Sequence, residues 1–149
     1  MTLYYLDASA WVKRYCREAG SDFIRHLFQQ NSLLGCATLG VIEVSATLSR
    51  KRRAGEIDPT LLENARRRLQ LDWSRFYRVE LSAAVMETAL RATAAWALRG
   101  ADAVHLASAL VLRDRLALGA DEFTVVSSDW ELKEAARKTD LTVLDPEED

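Results

Sequence analysis

One stretch of the chain reads Arg99-Gly100-Ala101-Asp102-Ala103-Val104-His105-Leu106-Ala107-Ser108-Ala109-Leu110, and it predicts a helix buried at the centre of the fold. After its first turn, only His105 and Ser108 are polar. A helix that is apolar all round belongs inside a domain rather than on its surface. Asp102 stands at the start, where an aspartate caps the free amides of a first turn. The same carboxylate at the rim of a core is also placed to bind a metal ion, although this stretch alone favours the cap.

Short strands alternate with helices on both sides of this stretch. Apolar runs of strand length occur at 2–6, 32–37, 77–81, 123–126 and 141–144, with helical spacing between them. This alternation implies right-handed crossovers and a mainly parallel sheet with helices on both faces. The chain has 149 residues, enough to bury one good core. We therefore expect an α/β fold in which residues 1–149 form a single domain.

Composition favours a cytoplasmic protein without membrane contact. Hydrophobic residues make up 49% of the chain and charged residues 28%, as in ordinary globular domains. The N-terminus acquires a charge too early for a signal peptide, and no apolar run approaches the roughly 20 residues that span a bilayer. Cys16 and Cys36 lie in apolar segments without metal-type spacing, which predicts buried free thiols in a reducing compartment.

Charge is distributed unevenly along the chain. The net charge of −2 argues weakly against a nucleic-acid partner. Residues 50–78, however, hold nine Lys and Arg side chains against four acids, and residues 121–149 hold three against ten. Such runs are usually solvated faces, which is one interpretation for both segments. Basic clusters beside two helices also suit a phosphate backbone.

Four acids fall where predicted strands end and helices begin. Asp7 ends the first strand, Asp129 follows the fourth, Asp102 begins the central helix, and Glu43 lies one turn inside the helix after the second strand. In open parallel sheets, ligands bind outside the carboxyl ends of the strands. The four side chains are therefore expected on the same side of the sheet.

Structural roles compete with a metal-binding role for two of these acids. Asp7 is equally suited to cap the helix that follows it. Ser128 and Glu131 fit a capping box, which would leave Asp129 as a first-turn acid that favours the helix dipole. Whether Asp129 binds a metal or serves the helix stays open at this point.

Glu43 is harder to explain by structure alone. Val44 and Leu48 form an apolar face beside it, and Ile42 lies on its other flank. An ionised carboxylate among apolar neighbours is costly unless a partner pairs with it. No Lys or Arg lies three or four residues away, so that partner must come from elsewhere in the fold.

A divalent cation would relieve the repulsion between carboxylates gathered at one edge. Oxygen ligands without a His or Cys cluster indicate Mg²⁺ or Mn²⁺ rather than zinc. Such a centre suits phosphodiester hydrolysis, in which one ion activates water and a second, about 4 Å away, stabilises the leaving oxygen.

The motifs that carry these acids resemble those of PIN-domain nucleases, in particular the VapC-type ribonuclease toxins of toxin–antitoxin pairs. The resemblance spans residues 2–144 and rests on four pieces of sequence: Leu6-Asp7-Ala8-Ser9-Ala10, Glu43, Gly100-Ala101-Asp102-Ala103-Val104-His105-Leu106-Ala107 and Val126-Ser127-Ser128-Asp129. It implies a PIN-like, Rossmann-like α/β/α sandwich and RNA cleavage that depends on Mg²⁺ or Mn²⁺. It also implies a homodimer and a cognate antitoxin protein as partner.

The resemblance assigns roles to individual residues. Asp7, Glu43 and Asp102 match the metal-binding catalytic acids of the family, and Asp129 matches its fourth. Many members carry Ser or Thr directly after the first acid, where this chain has Ala8, so Ser9 is the expected supporting hydroxyl. Ser127 replaces a usual Thr and keeps the oxygen.

Other polar residues receive weaker expectations. His105 is interpreted as a core histidine with a hydrogen-bonded ring. Arg99 lies beside the predicted site and is a candidate contact for a substrate phosphate, as is the basic run Arg50, Lys51, Arg52 and Arg53.

We expect a metal-dependent endoribonuclease that is the toxin of a toxin–antitoxin pair. One alternative is a PIN-fold nuclease that processes DNA or RNA outside such a pair. Another is a haloacid-dehalogenase-like phosphatase, which normally needs a second acid two residues after the first, where this chain has Ser9. A dinucleotide-binding domain is disfavoured because no glycine fingerprint follows the first strand.

Overall fold

A five-stranded sheet organises residues 1–148, the part of the chain that the computed structural model describes. Neighbouring strands follow the order β3-β2-β1-β4-β5, and every pairing is parallel. The strands are β1 Leu3–Leu6, β2 Leu33–Ala37, β3 Tyr77–Val79, β4 Phe123–Val126 and β5 Thr142–Leu144. The predicted α/β class with a mainly parallel sheet is confirmed. Asp149, the last of the C-terminal acids, lies outside the described residues.

Seven α-helices connect or follow these strands within residues 1–148. They are α1 Ala8–Trp11, α2 Ser21–Gln29, α3 Thr38–Arg53, α4 Pro59–Trp73, α5 Ala83–Trp96, α6 Gly100–Arg115 and α7 Trp130–Lys138. Local sequence explains several starts: Asp58 caps α4 ahead of Pro59, and Ser82 caps α5. Among these helices, none is long and apolar enough to cross a membrane.

Helices cover both faces of the sheet, so the predicted sandwich is confirmed. Successive side chains of a strand point to opposite faces. Leu3 and Tyr5 of β1 accordingly pack with α5, α6 and α7, whereas Leu6 packs with α1, α2, α3 and α4. Cys16 and Cys36 are buried free thiols in the second layer, as expected.

Helix α6 is the central element that the sequence indicates, since eight of its residues are buried. The expectation that Asp102 caps this helix is wrong. Arg99 occupies the N-cap position in an extended conformation, and Asp102 lies within the first turn. The helix begins three residues earlier than a cap at Asp102 implies, since Gly100, Ala101 and Asp102 all belong to it. The Asp102 carboxylate therefore lies on the first turn, beside the carboxyl end of the sheet.

The acidic C-terminal segment, here residues 145–148, is held by ion pairs to the rest of the fold rather than simply solvated. Lys133 is buried on α7 and donates to Asp145 at 2.6 Å and to Glu148 at 3.1 Å. Lys13, also buried, donates to Glu147 at 2.7 Å. Two buried ammonium groups thus hold the segment that follows β5 against the rest of the fold.

Candidate active site

The predicted site lies where β1 and β4 end side by side. Leu6 pairs with Val126 in the parallel register, so Asp7 and Ser127 are the first residues beyond the two strands. The strand order reverses direction at this pair, with β2 and β3 on one side and β5 on the other. A crevice opens at such a switch point and is the usual ligand site of this architecture.

Asp7 is a buried carboxylate held in one orientation by three donors. Ser9 Oγ donates to Oδ1 at 2.7 Å and Ser127 Oγ donates to Oδ2 at 2.7 Å. The backbone amide of Ala10 also donates to Oδ1 at 3.0 Å, so Asp7 does cap α1. Burial raises the pKa of Asp7, although the charge of His105 and these hydrogen bonds oppose the shift. Ser9 and Ser127 therefore contact Asp7 as the sequence predicted.

Asp102 and Asp129 come together around one arginine. Arg99 Nη2 lies 3.3 Å from Asp102 Oδ2 and 3.1 Å from Asp129 Oδ2. Burial raises the pKa of the Asp102 carboxyl, the negative charge of Asp129 adds to the shift, and Arg99 opposes it.

The proposed capping box at α7 is wrong. Asp129 itself is the N-cap, and its Oδ1 accepts from the Leu132 amide at 3.2 Å. Ser128 instead donates from Oγ to Asp145 at 2.9 Å. Asp129 thus uses one carboxylate oxygen for the helix and directs the other toward Arg99 and Asp102.

Glu43 finds its partner in the central helix. His105 Nε2 lies 2.5 Å from Glu43 Oε1, and its Nδ1 lies 2.9 Å from Tyr5 Oη. Burial alone would lower the pKa of His105, but its contacts with Tyr5, Cys36 and Glu43 raise it well above the usual value. His105 is buried with a hydrogen-bonded ring, as predicted, and it is the partner from a distant segment that Glu43 needs.

The surroundings of Glu43 differ from the expectation in one respect. Ile42 is 61% exposed, so Glu43 lies at the rim of α3 rather than among apolar side chains on both flanks. Gly40 brings α3 close to α6: a Cβ there would lie 3.3 Å from the His105 ring and would collide with Cys36. The absence of a side chain at this position permits the contact between Glu43 and His105.

Within residues 1–148 no group of three or more His, Cys, Asp or Glu side chains is arranged to hold a metal ion. Each acid is bound to a protein donor instead, Glu43 to His105 and the pair Asp102 and Asp129 to Arg99. The donor set still fits a hard divalent cation, because the Arg99 guanidinium already stands as a cation between two carboxylates. Carboxylate oxygens are the ligands that Mg²⁺ and Mn²⁺ prefer.

A cavity of about 550 Å³ adjoins this edge. Its lining includes Ser9 and Glu43 from the site, Arg50 and Lys51 from α3, and Lys13. Of the predicted basic run, Arg52 and Arg53 are exposed on α3 and do not line the cavity. A larger cavity of about 800 Å³ along α4 is lined by none of the four acids, so it does not coincide with the predicted site.

Sequence reasoning did not single out the buried lysines near the site. Lys13 follows Ala10-Trp11-Val12, and Lys133 shares the buried face of α7 with Leu132 and Ala136. A lysine inside an apolar helical stretch signals a buried partner of opposite charge, because an unpaired ammonium group is costly to bury. That signal was present: Lys13 pairs with Glu18 nearby and with Glu147 of the C-terminal segment. The partners of Lys133, Asp145 and Glu148, both lie in that segment.

Comparison with known proteins gives consistent results for sequence and fold. Residues 4–138 match the sequence profile of the PIN domain family. Two curated relatives, Ribonuclease VapC45 and Ribonuclease VapC49, come from the Mycobacterium tuberculosis strains CDC 1551 and H37Rv. Each is 40% identical to this chain over 114 residues, which cover 76% of this chain and 79% of the relative.

Solved structures share the fold at lower identity. PAE2754 from Pyrobaculum aerophilum matches 99% of this chain and 85% of its own, with a TM-score of 0.64 and 22% identity. VapBC2 from Rickettsia felis, bound to a DNA fragment from the promoter, matches 97% of this chain and 98% of its own, with a TM-score of 0.65 and 14% identity. A toxin–antitoxin complex from Klebsiella pneumoniae matches 98% of this chain and 98% of its own, with a TM-score of 0.63 and 15% identity. At such identities the likeness concerns the fold alone.

Proposed function

The chain belongs to the PIN domain family, and from that premise we propose that it is a metal-dependent endoribonuclease of the VapC type. One observation carries the proposal: Asp7 and Asp102, both buried and both with raised pKa, lie at the carboxyl edge of the sheet beside Asp129. The phosphatase alternative loses its support, because position 9 holds a serine whose hydroxyl donates to Asp7.

The four acids share one task in this proposal, which is to hold the metal ion. Asp7, Asp102, Glu43 and Asp129 would hold Mg²⁺ or Mn²⁺, which supplies Lewis-acid activation of water and charge stabilisation at the leaving oxygen. Ser9 and Ser127 fix both oxygens of Asp7, so its carboxylate needs little reorganisation to bind a cation. His105 orients Glu43 in the same way from α6.

The RNA backbone would enter along α3. Glu43, Thr47 and Arg50 all line the cavity beside the site, at the i, i+4 and i+7 spacing of one helix face. With a rise of about 1.5 Å per residue, Arg50 lies roughly 10 Å along the helix from Glu43. Arg50 and Lys51 are therefore the basic residues placed to contact a phosphate beside the scissile one, and Arg52 and Arg53 contribute only at longer range.

Partners follow from the same proposal. We assign the chain a cognate antitoxin protein, because the neighbour of the same fold from Klebsiella pneumoniae was solved as a toxin–antitoxin complex and because this acidic edge attracts basic side chains. Residues 1–149 would form one domain, and two copies of the chain would form a homodimer in the cytoplasm. A reducing compartment of this kind keeps buried thiols free, as Cys16 and Cys36 are here.

The test is cleavage of cellular RNA by the parent and by Asp102→Asn, each with Mg²⁺, with Mn²⁺ and with chelator. We expect the parent to cut RNA only with metal and Asp102→Asn to lose cleavage while it keeps its circular dichroism spectrum and melting transition. A single-stranded DNA of matched sequence, added in parallel, separates a ribonuclease from a general PIN nuclease. Undiminished RNA cleavage by folded Asp102→Asn would refute the assignment.

A further inference from the structure

Arg99 has an unusual position for a residue next to a catalytic centre. It precedes α6 at the N-cap position, yet its side chain turns back over the first turn to reach Asp102 and across to Asp129. The carboxylates that it joins are 10% and 22% exposed, whereas the Arg99 side chain is 74% exposed. A solvated cation therefore closes over two shielded anions.

This contact does the electrostatic work that a metal ion would do. Asp102 and Asp129 carry like charges that disfavour each other's ionised state, and a cation between them offsets the repulsion. Arg99 Nη2 donates to Oδ2 of both carboxylates, and Arg99 Nε also donates to Asp102 Oδ2, at 3.4 Å. The same oxygens cannot bind Arg99 and a divalent ion at full strength.

We propose that Arg99 is an exchangeable counterion: it holds Asp102 and Asp129 while no metal is bound, releases them to the divalent ion, and then binds a substrate phosphate. This inference rests on the proposed function and names a regulation of the same site. Release is easy because solvent screens an ion pair with so exposed a partner. Arginine also suits the second task, since its planar fork binds phosphate oxygens in pairs.

Two opposite effects of one substitution follow. Arg99→Gln removes the competing cation. If Arg99 occupies the two carboxylates about four-fifths of the time, its removal should make Mn²⁺ bind about fivefold more tightly, because apparent affinity scales with the fraction of open sites. The same variant lacks the phosphate contact, so the KM for RNA should rise even though the metal binds better. A purely structural role at the start of α6 would not strengthen metal binding while weakening substrate binding.

The experiment titrates Mn²⁺ into the parent, Arg99→Gln, Arg137→Gln and Asp102→Asn, with free Mn²⁺ followed by its electron paramagnetic resonance signal. Arg137 forms an exposed ion pair with Glu134 on α7, so its variant controls for the loss of one positive charge. We expect tighter Mn²⁺ binding in Arg99→Gln alone, an unchanged Arg137→Gln, and a higher KM for RNA in Arg99→Gln.

Failure of the inference and failure of the proposed site give different results. If Arg99→Gln binds Mn²⁺ no more tightly than the parent, or if Arg137→Gln gains as much, Arg99 is not a competing counterion. An unchanged KM for RNA would overturn the phosphate step. If instead Asp102→Asn retains full Mn²⁺ binding, the metal site itself is misplaced.

Discussion

Two groups of carboxylates in this protein, each with at least one buried member, have opposite electrostatics. At the carboxyl edge of β1 and β4, burial raises the pKa of Asp7 and of Asp102, and no buried lysine or arginine faces them in the described chain. In the C-terminal segment, burial also disfavours the charge of Asp145, but the hydrogen bond from Lys133 lowers its pKa overall. The same residue type, aspartate, thus has a disfavoured charge at the edge of the sheet and a stabilised charge in the C-terminal segment.

The difference separates function from stability. A buried carboxylate with a permanent cationic partner is costly to remove, because its loss leaves the partner's charge buried and unpaired. Asp102, whose cationic partner is the exposed guanidinium of Arg99, keeps a raised pKa, and in our proposal its carboxylate stays available to a metal ion. Functional sites are often strained in this way. The positions of the lysines therefore distinguish the two groups more clearly than the positions of the acids.

The largest expected effect concerns activity at the strained group. Asp7→Ala and Glu43→Ala should each lower kcat/KM for RNA about a thousandfold or more, because several kcal/mol of charge stabilisation depend on the metal ligands. Asp129→Ala should cost only about tenfold, since one of its oxygens serves the α7 cap. Asp58→Ala, which removes the cap of α4, controls for cap loss. Equal losses at Asp7, Glu43 and Asp129 would remove this ranking.

The next effect concerns stability, and its sign should differ between the two groups. Asp145→Asn should lower the free energy of unfolding by about 3 kcal/mol, because it leaves the Lys133 ammonium buried with only the more exposed Glu148. Asp7→Asn should leave the metal-free protein at least as stable as the parent, since the amide still caps α1. Urea unfolding at pH 7 with chelator measures both.

Asp22→Asn is the matched control for this comparison, because Asp22 forms an ion pair with Arg17 in which both side chains are exposed. Such a pair contributes little, so its loss should change stability by less than about 0.5 kcal/mol. If Asp7→Asn proves as destabilising as Asp145→Asn, the two groups do not differ in the way described.

The smallest effect is the acid limb of the C-terminal ion pair. Since the folded pKa of Asp145 lies below its unfolded value, the contribution of this carboxylate is complete above about pH 4 and decreases as pH falls through the folded pKa. The stability difference between the parent and Asp145→Asn should therefore be constant from pH 7 to pH 5 and shrink toward pH 3. A difference that persists unchanged at pH 3 would mean that the contribution of Asp145 is not ionic.

Much of the fold and the site was accessible from sequence because local signals agree with the topology. Strand-length apolar runs and helix starts such as Asp58-Pro59 predicted the parallel sandwich and its boundaries within a few residues. In open parallel sheets, ligands bind outside the carboxyl ends of the strands. This rule placed Asp7 and Asp129 at one edge of the sheet without any knowledge of side-chain contacts.

The remainder depended on pairings between distant segments. Spacing showed that Glu43 needed a partner, but only the packing of α3 against α6 identifies His105, 62 positions away. The local sequence favoured a cap at Asp102, whereas the N-cap is Arg99, because sequence defines a helix start only approximately. The anchoring of the acidic C-terminal segment was also missed: Lys13 and Lys133 indicate that each has a partner, but nothing in the sequence identifies that partner.

The central claim is that the carboxyl edge of β1 and β4 binds a divalent ion, and thermal melting with Mn²⁺ tests it most directly. Parent and Asp7→Asn are melted with chelator and with Mn²⁺ at constant pH and salt. A ligand that binds only the native state raises the melting temperature by mass action, so the parent should rise and Asp7→Asn should rise much less. Equal increases in both proteins would place the ion elsewhere, for example at the acidic C-terminal segment, and would contradict the claim.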